Sequence, residues 1–210
     1  MKKAILIEDR VFRQKNYLGN NLNKLMNFDN LRNISGGEGF TIIKEQFLSD
    51  DYTLINDYDV LMIHRSAFDT DIRNKIISTI GETNKDLILF SGGVSGCSFT
   101  NIKRAQLLVI NVDQFYGSNL FLYLQNGCTN LLELAFGENW RLSVLLEAHD
   151  RLSFYIKDYS SPKPLTRIES DIEINDWIKN DYFRELRGMI AAEDLKLVLY
   201  KMSDDINGML

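Results

Sequence analysis

The residues of this chain that could do chemistry fall at the ends of short apolar runs. Ala4-Ile5-Leu6-Ile7 runs into Glu8-Asp9, and Asp59–His64 (DVLMIH) ends in an imidazole followed by Arg65. Asp86–Phe90 (DLILF) ends at Ser91-Gly92-Gly93, and Gln106–Ile110 (QLLVI) ends at Asn111. Two adjacent carboxylates offer oxygen ligands to a hard cation. The same acids also suit the positive end of a following helix. An imidazole can take a proton, attack an electrophile or bind a metal. The stretch Ser91, Gly92, Gly93, Val94, Ser95, Gly96 offers hydroxyls and glycines, whose backbone N–H groups can approach an anion closely.

Each of these has a plain structural reading beside the chemical one. Glu8 and Asp9 suit a helix cap, and His64 suits a solvated strand end. The glycine loop lacks the Lys-Ser/Thr ending of a P-loop and is not GxGxxG, so a turn is its simpler reading. Ser91, His64 and an acid from Glu8 or Asp9 are the parts of a serine hydrolase, but no G-x-S-x-G elbow accompanies them. Cys97 as a nucleophile competes with the commoner buried, inert thiol. His149 lies among Leu145, Leu146 and Leu152 beside Glu147, where a satisfied or surface histidine is the default. The two histidines and the unspaced Cys97 and Cys128 give no zinc pattern. Phe115, Tyr116, Phe121 and Tyr123 recur at helical spacing, which favours core packing over a partner or dimer face.

The elements that position these groups follow from periodicity. Ala4–Glu8, Asp59–His64, Asp86–Phe90 and Gln106–Ile110 are too short and too apolar for helices and suit buried parallel strands. Phe40–Lys44 (FTIIK), rich in β-branched residues, is expected as the second strand. Asp29–Gly39, with Gly36-Gly37 and Gly39, reads as a loop. Val11, Leu18, Leu22 and Leu25 mark a helix to about residue 26. A short helix is expected within Phe47–Asn56, and another over Phe68–Ile80, with Ile72, Ile76, Ile77 and Ile80 on one face. Val94–Arg104 makes a poor helix. Strands alternating with helices imply βαβ units and a parallel sheet. From Asp113 onward the pattern is helical, over 113–126, 129–136, 139–157, Asp171–Arg187 and Ala191–Ile206. Tyr159–Thr166 holds both prolines and is the linker candidate.

ILIED followed by an amphipathic helix resembles the opening of a response-regulator receiver domain. The resemblance implies a five-stranded parallel, flavodoxin-like α/β sheet over residues 1–126, with a helical C-terminal region over 127–210. In receivers the acidic pair binds Mg²⁺, the third strand ends in the phosphoacceptor aspartate, the fourth in Ser or Thr and the fifth in Lys. By that resemblance Glu8 and Asp9 match the pair and Ser91 matches the hydroxyl. His64 stands where the phosphoacceptor should be, and Asn111 stands where the Lys should be. Acyl phosphate formation needs a carboxylate nucleophile and charge neutralisation, so aspartyl phosphorylation is expected to be absent.

Composition narrows the function classes. A net charge of −5 argues against a general nucleic-acid surface, which needs a positive field. No apolar run approaches the ~20 residues of a membrane span, and the N-terminal run is shorter than a signal peptide requires. The expectation is a cytoplasmic protein with reduced thiols, non-catalytic and without a cofactor. It would work as a signalling or interaction module toward a protein partner or a second copy. A residual Mg²⁺ site at Glu8 and Asp9 is kept beside it. The alternative is a small-ligand or phosphate-binding α/β protein, or enzyme, using the carboxyl-edge crevice with loop 91–96.

Overall fold

A computed structural model describes residues 1–157 and 192–210. The chain divides into two compact units, Met1–Glu138 and Asn139–Leu210.

The first unit is an α/β sheet of six strands: β1 (Ala4–Glu8), β2 (Leu31–Ser35), β3 (Val60–His64), β4 (Asp86–Ser91), β5 (Cys97–Ile102) and β6 (Ala105–Asn111). Their order is β2-β1-β3-β4-β6-β5. All neighbours pair in parallel except β5 and β6, which form an antiparallel hairpin. Its two-residue connection, Lys103-Arg104, puts Lys103 at φ 52°, the left-handed conformation that tight hairpins need. β1 and β3 are buried along their whole length, as central parallel strands must be when helices cover both faces.

Side chains alternate across the sheet with period two. Ala4 and Leu6 join one core with Phe115, Tyr123 and Leu134, whereas Ile5 and Ile7 join the other with Ile43, Phe47, Ile72 and Ile76. The helices are α1 (Val11–Leu18), α2 (Leu22–Met26), α3 (Gly37–Leu48), α4 (Thr70–Gly81), α5 (Val112–Phe115), α6 (Ser118–Gln125) and α7 (Leu131–Phe136). Asp69 caps α4, its Oδ1 accepting from the Ile72 N–H at 2.9 Å. Leu131 and Leu134 of α7 belong to the same core as α6. Phe115, Tyr116, Phe121 and Tyr123 are all buried in that core.

Several expectations are corrected. The sheet has six strands, not five, and one is antiparallel. Phe40–Lys44 is not a strand but the middle of α3. Phe40, Ile43 and Phe47 recur at helical spacing and face the core, and that period outweighs the β-branched composition. The second strand is instead Leu31–Ser35 (LRNIS), within the stretch read as a loop. An edge strand buries only part of one face, so its sequence carries few apolar residues. The expected helix within Phe47–Asn56 is the end of α3 followed by a 3₁₀ turn at Thr53–Asp57. Residues 97–102 of the poor fourth-helix segment are strand β5. The single helix expected over 113–126 is α5 and α6, broken at Gly117.

In the second unit, α8 (Trp140–Lys157) and α9 (Ala192–Met209) pair through Leu145, Ala148 and Leu152 against Leu195, Val198, Met202 and Ile206. The three- and four-residue spacing is that of a two-helix seam. His149 lies beside it, with Nε2 at 2.9 Å from Ser203 Oγ. The linker candidate 159–166 and the helix expected over 171–187 lie outside the described residues. Among the described residues, no helix is long and apolar enough to cross a membrane. Cys97 and Cys128 are not joined in a disulfide, and burial pushes the Cys128 thiol up to about 12.

Candidate functional site

The parallel strands β1, β3, β4 and β6 deliver Glu8, His64, Ser91 and Asn111 to one edge of the sheet. In open parallel sheets, ligands bind outside this carboxyl edge. Glu8 is the last residue of β1 and is fully buried; α1 begins three residues later. Gly36 makes this close approach of chain segments feasible. Its N–H donates to the Glu8 carbonyl at 2.7 Å, its φ is +57°, and a Cβ there would lie 2.8 Å from Val11 Cγ2.

The centre of the site is Arg13, half a turn into α1. Its Nη1 donates to Glu8 Oε1 at 2.6 Å, to Asp9 Oδ1 at 2.8 Å and to Ser66 Oγ at 3.2 Å. The Asp9–Arg13 spacing is i,i+4, which brings the two side chains to one helix face. Tyr116 donates its hydroxyl to Glu8 Oε2 at 3.3 Å, and its ring stacks on Tyr17. Arg10 Nε stands 3.4 Å from Asp9 Oδ2.

The turn after β3 completes the site. His64 Nδ1 accepts the Ser66 backbone N–H at 3.1 Å, so the ring proton belongs on Nε2. Ser66 Oγ lies 2.8 Å from the same Nδ1 and donates to Asp9 Oδ1 at 3.0 Å. His64 is held edge-on to the Phe90 ring.

The electrostatics follow from two carboxylates served by one guanidinium. Burial, then hydrogen bonding with Asp9, pushes Glu8 up to about 8, against the pull of Arg13 and Tyr116. Burial also acts to raise Asp9, but hydrogen bonds from Glu8 and Ser66 and the charge of Arg13 outweigh it and bring Asp9 below its usual value. Burial first, and the Arg13 charge second, bring His64 down to about 4. Near neutral pH, Glu8 therefore holds a proton, Asp9 is ionised, Arg13 is its counter-ion and His64 is neutral.

Of the candidate residues, Glu8, Asp9 and His64 come together, each with a donor atom within 4.8 Å of the others. Ser91 and Asn111 pair across β4 and β6 and serve their own loop instead. Ser91 Oγ accepts the Gly93 N–H at 3.2 Å. Asn111 Nδ2 donates to the Val94 carbonyl at 2.6 Å, and its Oδ1 accepts from Asp113 N–H at 2.8 Å, capping α5. At Gly92 and Gly93 a Cβ would meet only ordinary contacts, whereas Gly96 has φ +76°. Ser91 and Asn111 thus engage the Gly93 N–H and the Val94 and Gly96 carbonyls of the loop, while Gly92, Gly93, Ser95 and Gly96 are exposed.

The sequence candidates do not include Arg13 or Ser66, and Tyr116 is among them only as a core aromatic. Arg13 was findable, because a cation four residues after an acid on a helix start is a pairing signal. Ser66 and Tyr116 reach the site only through the tertiary fold. A Mg²⁺ ion fits this site poorly. The resident guanidinium already bonds both carboxylates of the acidic pair, and the third donor is an imidazole rather than the oxygen that Mg²⁺ prefers.

No family model matches this chain, and neither the curated proteins nor the solved structures contain a significant match.

Proposed function

We propose that the first unit is a receiver-like, flavodoxin-like signalling module that works by protein–protein contact, without aspartyl phosphorylation and without a resident metal. The observation that carries this reading is Arg13, whose guanidinium bonds Glu8 and Asp9 together. In receivers, by resemblance, a dissociable divalent cation serves that pair. A cation supplied by the chain itself does not dissociate, so the acid pair no longer senses metal. His64 at the end of β3 offers no carboxylate to phosphorylate, and Asn111 offers no cation for a phosphoryl group. The four-strand parallel core with order β2-β1-β3-β4, continued by β6, supports the flavodoxin-like part of the reading. On this reading the protein is cytoplasmic, and the helical C-terminal region serves as the output element toward a protein partner or a second copy.

Thermal unfolding in a Mg²⁺ titration tests the proposal. Wild-type protein should show no Mg²⁺-dependent rise in Tm, and Arg13→Met should gain one as the acid pair loses its cation. A Mg²⁺-dependent rise in wild type would sink the reading.

A further inference from the structure

We propose that Ser66 is a nucleophilic serine that accepts an acyl group from an activated donor, such as an acyl phosphate, thioester or aryl ester. Three groups of different chemistry converge on its hydroxyl: His64 Nδ1 at 2.8 Å, Asp9 Oδ1 at 3.0 Å and Arg13 Nη1 at 3.2 Å. Ser66 itself is exposed, so a donor can reach it, whereas His64 is buried and Arg13 and Asp9 are nearly so.

The turn is built to hold that hydroxyl. Arg65 N–H donates to the Phe90 carbonyl at 3.0 Å, and Ala67 N–H donates to the His64 carbonyl at 2.9 Å, pinning the backbone on both sides of Ser66. The Ser66 N–H donates to the Nδ1 lone pair and so keeps the His64 ring proton on Nε2. A nucleophile and a base within hydrogen-bond reach are the core of an activated hydroxyl; here Asp9 holds the nucleophile rather than the base. None of this involves Ser91, whose hydroxyl is engaged in its own turn.

The step balances without any further reactant. The Ser66 hydroxyl turns from Asp9 Oδ1 to His64 Nδ1, whose lone pair it shares with the Ser66 N–H, and as Oγ forms a bond to the donor's carbonyl carbon its proton passes to Nδ1. The carbonyl electrons move onto oxygen, where the Arg13 guanidinium offers positive charge. The bond to the leaving group then breaks, and the leaving group departs with the proton returned from His64. Because burial keeps His64 a weak base, the site is suited to donors with good leaving groups. The product is an acyl ester on Ser66, a covalent mark at the carboxyl edge.

The test is acetylation of the full chain by p-nitrophenyl acetate, read by peptide mass mapping, with the exposed lysines as internal background. Ser66 should be acetylated faster than any other hydroxyl. His64→Gln should slow that reaction on the order of a hundredfold while lysine acetylation is unchanged. Wild-type protein unfolded in guanidinium should lose the Ser66 preference, a control that does not depend on any variant folding. An unlabelled Ser66 in the native chain, or equal labelling in native and unfolded chains, would overturn the proposal.

Discussion

At the scale of single residues, the site has an unusual charge balance. One guanidinium faces two carboxylates, and a proton on Glu8 makes up the difference. This has a signed consequence for stability. Glu8 binds its proton more tightly in the folded state, so its contribution is fully present below about pH 4.5 and is lost as pH rises to about 8. His64 is harder to protonate when folded, so stability falls as pH drops from about 6.5 to about 4. Asp9, lowered by its partners, adds to the loss below its usual value of 3.8. Between about pH 4.5 and 6.5 the Glu8 and His64 effects oppose one another. Tm measured against pH should therefore show a plateau there and fall on both sides. Glu8→Gln should flatten the alkaline limb, and His64→Gln should shrink the acid limb. A Tm that keeps rising from pH 6.5 to 8 in wild type would contradict this balance.

At the scale of elements, the crossing of α1 and the start of α3 depends on one glycine. Gly36 combines a left-handed backbone with a close approach to Val11. Gly36→Ala should lower stability by about 1–3 kcal/mol in urea unfolding, whereas Gly93→Ala, which meets only ordinary contacts, should stay within about 0.5 kcal/mol. The elements legible in the sequence were those whose burial is complete. β1, β3, β4 and β6 end within about a residue of the apolar runs that announced them, and the isoleucines of α4 marked its face. The edge elements were not legible. LRNIS and CSFTNI bury only part of their side chains, so neither shows the apolar run or strict alternation that marks a strand. FTIIK has strand-like composition but helical spacing over a longer window. Within the site, Glu8 and His64 were visible because they end strands and Asp9 because it follows Glu8, whereas Tyr116 is more than a hundred residues from Glu8 in sequence.

At the scale of the whole molecule, the first unit extends through α7, past residue 126. Cys128, Leu131, Leu134 and Ala135 are buried in the same core as Phe121 and Leu124. A fragment of residues 1–126 would expose that core. Each buried leucine removed should cost about 1.5–3 kcal/mol. Residues 1–138 should unfold cooperatively in urea, and residues 1–126 should have a clearly lower midpoint. Equal midpoints would mean that α7 adds nothing to the first unit. The second unit has an apolar seam of its own between α8 and α9.

The boundary at Glu138 also divides the molecule optically. The chain has two tryptophans, Trp140 and Trp177, and both lie beyond that boundary. Indole emission excited at the red edge of the absorption band therefore reports on the second unit alone. The stacked Tyr17–Tyr116 and Phe90–Phe115 rings give the first unit its own near-ultraviolet dichroism. Indole emission followed through a melt thus reads residues of the second unit, and its comparison with the near-ultraviolet dichroism of the whole chain tells whether the halves come apart together or in turn.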